Sequence, residues 1–181
     1  MNADFTPAPG ISGSLLLEAI AHVETNGGRA NWPRLEAGYI PKGLAITAQG
    51  RVISGTGACV NQVVRQRWQR WAPDSWGTAA SWGPWQILYH TAADLGFAGA
   101  PWELWTDAAS RPWVMKRLEV IGRQGAATVE QFADAWNSGD FRDDRVPAVY
   151  IRSVAAAYKA LSVPRPALGS GDVAGTQGRA T

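Results

Sequence analysis

The sequence predicts a mainly α fold, and three patterns carry that prediction. Apolar residues recur at helical spacing in several stretches, beginning with Leu16, Ile20 and Val23. Helix-start signals precede some of these stretches, namely Ser12 before the first and the T-x-x-Q pair Thr128 and Gln131 before a later one. Gly- and Pro-rich segments separate them. A length of 181 residues fits one domain. The expected layout is a lead-in over residues 1–11, a domain over 12–163 and a flexible tail over 164–181 that lacks large apolar residues beyond Leu168.

The first helix runs from Ser12 to about Thr25, where Gly27 and Gly28 stop it, because glycine enters the left-handed region without steric cost. Residues 26–58 are Gly-rich and irregular, with a short β-hairpin expected around Gln49-Gly50. Val60, Val63, Val64, Arg67, Trp68 and Trp71 restore a helical pattern that Pro73 ends. Residues 74–86 read as a loop of small residues and tryptophan, with a turn at Gly83-Pro84. A short helix follows over about 90–95, and Pro101 opens another through Trp105. Ser110 caps a longer helix whose inner face holds Val114, Leu118 and Ile121, ending near Gly125. Thr128 starts the next, with Val129, Phe132, Ala133 and Trp136 inward, and Asn137-Ser138-Gly139 ends it. Pro147 opens the last helix, with Ile151, Val154, Tyr158 and Leu161 inward, before Pro164 and Pro166. The total is six or seven helices with an irregular excursion between the first two.

Composition narrows the function classes. Hydrophobic residues make up 46% and charged residues 18%, the balance of a folded globular chain. A net charge of +2 argues against nucleic acid as a partner, although 14 of the 17 basic residues are Arg. Single-strand binding by Arg and Trp stacking is weak for the same reason. Cys59 is the single cysteine and reads as a small buried side chain. His22 and His90 stand apart, with no Cys or His at ligand spacing, so no metal and no cofactor is expected. The opening MNADFTPAPG is not a signal peptide, and no apolar run is long enough to insert into a membrane. Ten tryptophans exceed what one small core needs, and flat aromatic faces suit sugar rings, bases or partner proteins.

Four short stretches can carry chemistry. Glu24 continues the apolar stripe of Leu16 and Ile20 to the end of the first helix. A carboxyl group there is either a general acid with its pKa raised by apolar walls, or a helix-end carboxylate turned to solvent or to Arg29. The stretch Ser81-Trp82-Gly83-Pro84-Trp85-Gln86-Ile87 is either a cleft floor or a tight turn over core tryptophans. Trp136-Asn137-Ser138-Gly139 is a helix end, whose Asn either faces a ligand or serves the cap. Tyr150 follows on the last helix.

Their order is more specific than any one of them. A helix ending Glu-Thr, then S-x-G-P-x-Q-I, then W-N-S-G, then a late Tyr resembles the lytic transglycosylase and goose-type lysozyme family, over about Leu15 to Tyr158. That family shows Glu-Ser, a Gly-Leu-Met-Gln-like turn, Tyr-Asn-Ala-Gly and a late Tyr. The resemblance implies a lysozyme-like helical domain with a short irregular or β-hairpin insertion. It implies Glu24 as catalytic acid, with Thr25 where Ser is usual. It implies Gln86 and Ile87 as the floor, with Ser81 and Trp85 in the same turn, Trp136 and Asn137 at the motif Asn, and Tyr150 near the catalytic carboxyl. Trp136 departs from the usual Tyr, and residues 26–80 form an insertion that reads as a subsite wall particular to this chain.

The activity so implied is cleavage of the β-1,4 bond between N-acetylmuramic acid and N-acetylglucosamine, with peptidoglycan strands as partner. A lytic transglycosylase uses one carboxyl group as acid and then as base on the sugar's C6 hydroxyl, forming a 1,6-anhydro ring. An inverting muramidase needs a second carboxylate to activate water. Glu36 is the leading candidate for it, against an exposed loop Glu paired with Arg34; Asp74 and Asp94 are weaker, and Asp140, Asp143 and Asp144 read as a solvated connection. The missing export signal suits an enzyme delivered by phage lysis, carried in a virion or injected by a secretion apparatus. The rival reading is a phage tail or virion protein that keeps the lysozyme-like shape for structural or glycan-binding contacts.

Overall fold

In the computed structural model the described residues are 5–36, 39, 45–46, 52–53, 62–72, 74–142 and 145–163. The expectations at Cys59, Val60, Pro73, Asp143, Asp144 and the tail over 164–181 fall outside them, as does the turn at Gln49-Gly50.

Helix α1 spans Gly13–Thr25 because its start and its stop are both chemically marked. The Ser12 hydroxyl accepts the Leu15 N–H at the start. At the end Asn26 takes a left-handed conformation (φ 52°), and Gly27 and Gly28 follow with φ of 69° and 85°. The Gly27 N–H returns to the Ala21 carbonyl, so the break uses one more residue than the two glycines alone. Leu16, Leu17, Ala19 and Ile20 lie in the core.

Short strands follow: β1 (Arg34–Leu35), then β2 (Ala45–Ile46) and β3 (Val52–Ile53). The last two pair antiparallel, Ala45 with Ile53 and Ile46 with Val52, as the expected hairpin would. Helix α2 (Gln62–Arg70) buries Trp68 and leaves Val63 exposed. The stretch read as a loop over 74–86 is ordered differently. It holds a 3-10 helix (Ser75–Ala79) and strand β4 (Ala80–Trp82), and β5 (Ile87–Leu88) follows. The three-stranded antiparallel sheet has the order β1-β4-β5, with Arg34 opposite Ser81 and Trp82 opposite Ile87. These strands are two or three residues long, too short to show a period of two in the sequence.

Helix α3 (Tyr89–Asp94) and a second 3-10 helix (Pro101–Trp105) lead to α4 (Asp107–Arg123). Thr106, not Ser110, caps α4: its side chain accepts from the Ala109 N–H, while Ser110 is buried one turn in and bonds back to the Thr106 carbonyl. Helix α5 (Val129–Ser138) carries the expected capping box, Thr128 with Gln131, and ends on Gly139 at φ 95°. Helix α6 (Ala148–Ser162) starts after Pro147. It packs along α1 and α5. Val154 is fully buried, while Ile151, Tyr158 and Leu161 pack partly buried against the same core.

The expected lead-in also packs. Ala8 and Ile11 are buried, and the Phe5 carbonyl accepts from the Gly13 N–H. Gly122 on α4 leaves space for the Pro7 carbonyl, which a Cβ there would strike. The described chain is thus mainly helical with a small antiparallel sheet, and none of its helices is long and apolar enough to cross a membrane.

Candidate active site

Two tyrosines eight residues apart on α6 hold α1 at its two ends. The Tyr158 hydroxyl accepts from the Ser12 N–H, 3.0 Å away, at the start of α1. The Tyr150 hydroxyl donates to Glu24 Oε1, 2.7 Å away, at its end. Antiparallel packing of the two helices therefore places one carboxyl group against one phenol.

Glu24 is buried to the point that its side chain is 5% exposed. Burial raises its pKa above the usual carboxylate value, and the nearby charge of Glu36 adds to the rise. The hydrogen bond from Tyr150 and the Arg34 guanidinium pull the other way without cancelling it. Tyr150 is itself pushed far up by burial and by Glu24, so it stays a phenol and a donor. Asn137, at the end of α5, lies beside the same Tyr150 hydroxyl and offsets part of that rise. Tyr150 thus joins α6 to the end of α1 through Glu24, with Asn137 at the end of α5 beside them.

Arg34 joins a second carboxylate to the first. Its Nε donates to Glu36 Oε1 at 2.8 Å, and its Nη1 lies 3.4 Å from Glu24 Oε2. The pairing of Glu36 with Arg34 and its place in the cleft are both present, so the two readings of Glu36 coexist. Its side chain is one-third exposed, far wetter than Glu24. The Ser81 hydroxyl lies 3.1 Å from Glu36 Oε1 and 3.1 Å from Gln86 Oε1. One proton serves both, and a carboxyl oxygen paired with a guanidinium is a stronger acceptor than an amide oxygen. Arg29, the partner weighed for Glu24, is exposed, and Arg34 takes that place.

Gln86 braces the floor. Its backbone is left-handed at φ 51°, which is uncommon outside Gly, Asn and Asp. Its Nε2 donates to the carbonyls of Gly83 at 3.0 Å and Trp32 at 3.2 Å, which uses both amide protons. The side chain therefore holds the turn and the segment before β1 together, leaving only acceptor capacity for a ligand.

These groups line a cleft of about 230 Å³. Of the residues singled out in the sequence, Glu24, Glu36, Ser81, Gln86, Ile87, Trp136 and Asn137 line it, and Tyr150 reaches it through Glu24. Thr25 and Trp85 do not. Thr25 is buried, with its hydroxyl 3.0 Å from the Ala21 carbonyl and 2.7 Å from that of Pro84, and it accepts from the Gly28 N–H. Trp85 is a core residue, its indole N–H donated to the Leu17 carbonyl, and Arg111 covers one face of the ring. Asp74 and Asp94 are exposed and do not line the cleft; Asp94 pairs with Arg67. Among the tryptophans only Trp136 lines the cleft, while Trp32, Trp105, Trp82 and Trp76 form a run of ring contacts from an exposed end into the core.

Sequence reasoning missed Tyr39 and Arg117 as lining residues and Arg34 as the bridge between carboxylates. The signal for Arg34 was its place two residues before Glu36; nothing local marked the other two. Among the described residues no three His, Cys, Asp or Glu side chains gather in a group able to hold a metal ion. No family model, no curated protein and no solved structure matches this chain.

Proposed function

We propose that the protein is a peptidoglycan-cleaving glycosidase with a lysozyme-like fold, in which Glu24 protonates the leaving oxygen of the MurNAc-β-1,4-GlcNAc bond. The observation that carries this reading is the environment of Glu24: a carboxyl group whose burial raises its proton affinity, open to a cleft, and aimed by a phenol that cannot easily ionise. Glycoside cleavage needs such a proton donor as oxocarbenium-like charge develops on the sugar. The Tyr150–Glu24 hydrogen bond, with Asn137 beside it, brings together three of the four stretches whose order suggested the family, and Gln86 braces the fourth.

After bond cleavage Glu24 is a carboxylate, held by Tyr150 and Arg34, and ready to take the C6 hydroxyl proton as the anhydro ring closes. That is the lytic transglycosylase outcome, and it needs no second carboxylate. The position of Glu36 favours a second reading, an inverting muramidase. Glu36 pairs with Arg34, lines the same cleft and is open enough to meet water. Steady-state cleavage of purified cell wall by Glu24→Gln and Glu36→Gln separates the readings. Loss of activity in Glu24→Gln alone is expected of the transglycosylase; loss in both is expected of the inverting enzyme. Full activity in Glu24→Gln would remove the proposal, and binding of cell wall without any release by the unaltered protein would favour a structural or glycan-binding role.

A further inference from the structure

The cleft holds two guanidinium groups, and they differ in how they are neutralised. Arg34 has two carboxylates, Glu24 and Glu36. Arg117, reaching in from α4, has none among the described residues. Both of its hydrogen bonds to described residues leave from Nη2, to the carbonyls of Ala135 and Gly139 at 3.2 Å each. Those carbonyls lie at the end of α5, the partially negative end of the helix dipole, and that of Ala135 also accepts the Gly139 N–H. That contact seats the guanidinium beside Trp136 and Asn137 and supplies no full negative charge. The Nε and Nη1 edge of the fork is left without a described partner.

Burial lowers the pKa of Arg117, which marks the cost of keeping a cation there. Arginine nonetheless stays protonated. A half-buried cation on the wall of a cleft, held among the described residues by carbonyl dipoles, gains from an anion that enters the cleft. A carboxylate matches the fork with two parallel hydrogen bonds. The carboxylates of Glu24 and Glu36 line the same cleft and disfavour a ligand of higher negative charge.

Resting on the glycosidase reading, we propose that Arg117 forms a carboxylate-recognising subsite, so that the cleft selects glycan strands whose sugars bear a carboxylate over neutral N-acetylhexosamine polymers. The carboxylate has two possible sources of one chemistry: the lactyl group on the ring, or a short peptide attached to it.

The test uses the full chain with Glu24→Gln, which binds without turnover, and isothermal titration calorimetry. The ligands are three alternating GlcNAc–MurNAc tetrasaccharides: one with free lactyl carboxylates, one with these blocked as methylamides, and one with them linked to a dipeptide that ends in a carboxylate. Tighter binding of a carboxylate-bearing ligand than of the methylamide, by about tenfold or more, is expected. Which of the two gains identifies the source. Adding Arg117→Gln should erase the difference, and Arg117→Lys should keep part of it. The comparison among ligands needs no change at Arg117, so a poorly folding variant does not blunt it. Equal affinity for all three, or a preference that survives Arg117→Gln in a folded chain, overturns the subsite and leaves the glycosidase reading standing. Binding of none overturns both.

Discussion

At Glu24 the proton affinity is set first by burial and only then by neighbours. Because the folded pKa lies above the unfolded value of 4.5, the folded state binds more protons in the interval above 4.5. Stability therefore falls as pH rises through that interval, and the ionised group opposes the fold at neutral pH. Glu24→Gln should then melt higher than the unaltered protein at pH 7, with the gain vanishing below pH 4.5, as scanning calorimetry across pH would show. The same change should lower cell-wall cleavage by about 10²-fold or more, the usual worth of a general acid. A variant both inactive and more stable is the mark of a group kept for chemistry. Tyr150→Phe removes a hydrogen bond that favours the ionised carboxyl, so Glu24 holds its proton to higher pH. The alkaline limb of the kcat/KM profile should move to higher pH in that variant; an unmoved limb would separate Tyr150 from the acid. Glu24 itself was legible in the sequence, since its register with Leu16 and Ile20 is a local pattern. Arg34 as its partner was not, because that pairing depends on how residues 26–33 turn back onto the helix end.

Among the elements, those specified by neighbouring residues match the sequence reading best. The cap of α5 is one, since Thr128 and Gln131 satisfy each other's backbone within one turn. Thr128→Ala should cost about 1 kcal/mol in urea unfolding and leave activity unchanged. The cap of α4 differs for a local reason too: Thr106 and Ser110 are four apart, either can start a helix, and burial of Ser110 decides between them. The sheet was invisible because β1 pairs with β4 across a long stretch of chain and all three strands are too short to alternate. Its turn is braced by Gln86, which ties Ser81, Gly83 and Trp32 together. Gln86→Ala removes the donor to the Trp32 carbonyl and the second donor to the Gly83 carbonyl, while the Ser81 hydroxyl keeps Glu36 and the backbone stays left-handed. The expected cost is about 2–3 kcal/mol in the same urea measurement. A cost near zero would mean that the turn holds without its amide.

Across the whole molecule, α6 returns to α1 and converts an order of motifs into a site. Tyr158 and Tyr150 fix the pair at either end, and the motif order could suggest that grouping but not its geometry. The cleft also leans on a group behind it. Tyr39, which lines the cleft, stacks on the buried His90, whose other neighbours are Tyr89, Arg67 and, through Arg67, Asp94. Burial, aided by Arg67, lowers the His90 pKa from 6.5 to about 4. The unfolded chain then binds the extra proton between those values, so the stability from the neutral ring is full above pH 6.5 and is lost as pH falls through about 4. The loss is about 3 kcal/mol at most. The unaltered protein should therefore lose more melting temperature between pH 7 and pH 4.5 than His90→Phe, which keeps a ring under Tyr39 without a titrating proton; equal losses would show that His90 does not drive the acid sensitivity. The most direct test of Glu24 as the acid of a glycan-cleaving enzyme is mass spectrometry of the soluble products from purified peptidoglycan. The unaltered protein should release muropeptides ending in 1,6-anhydro-MurNAc, lighter by one water than hydrolysed ends, and Glu24→Gln should release none; no release by the unaltered protein, or the same release by Glu24→Gln, would contradict the assignment.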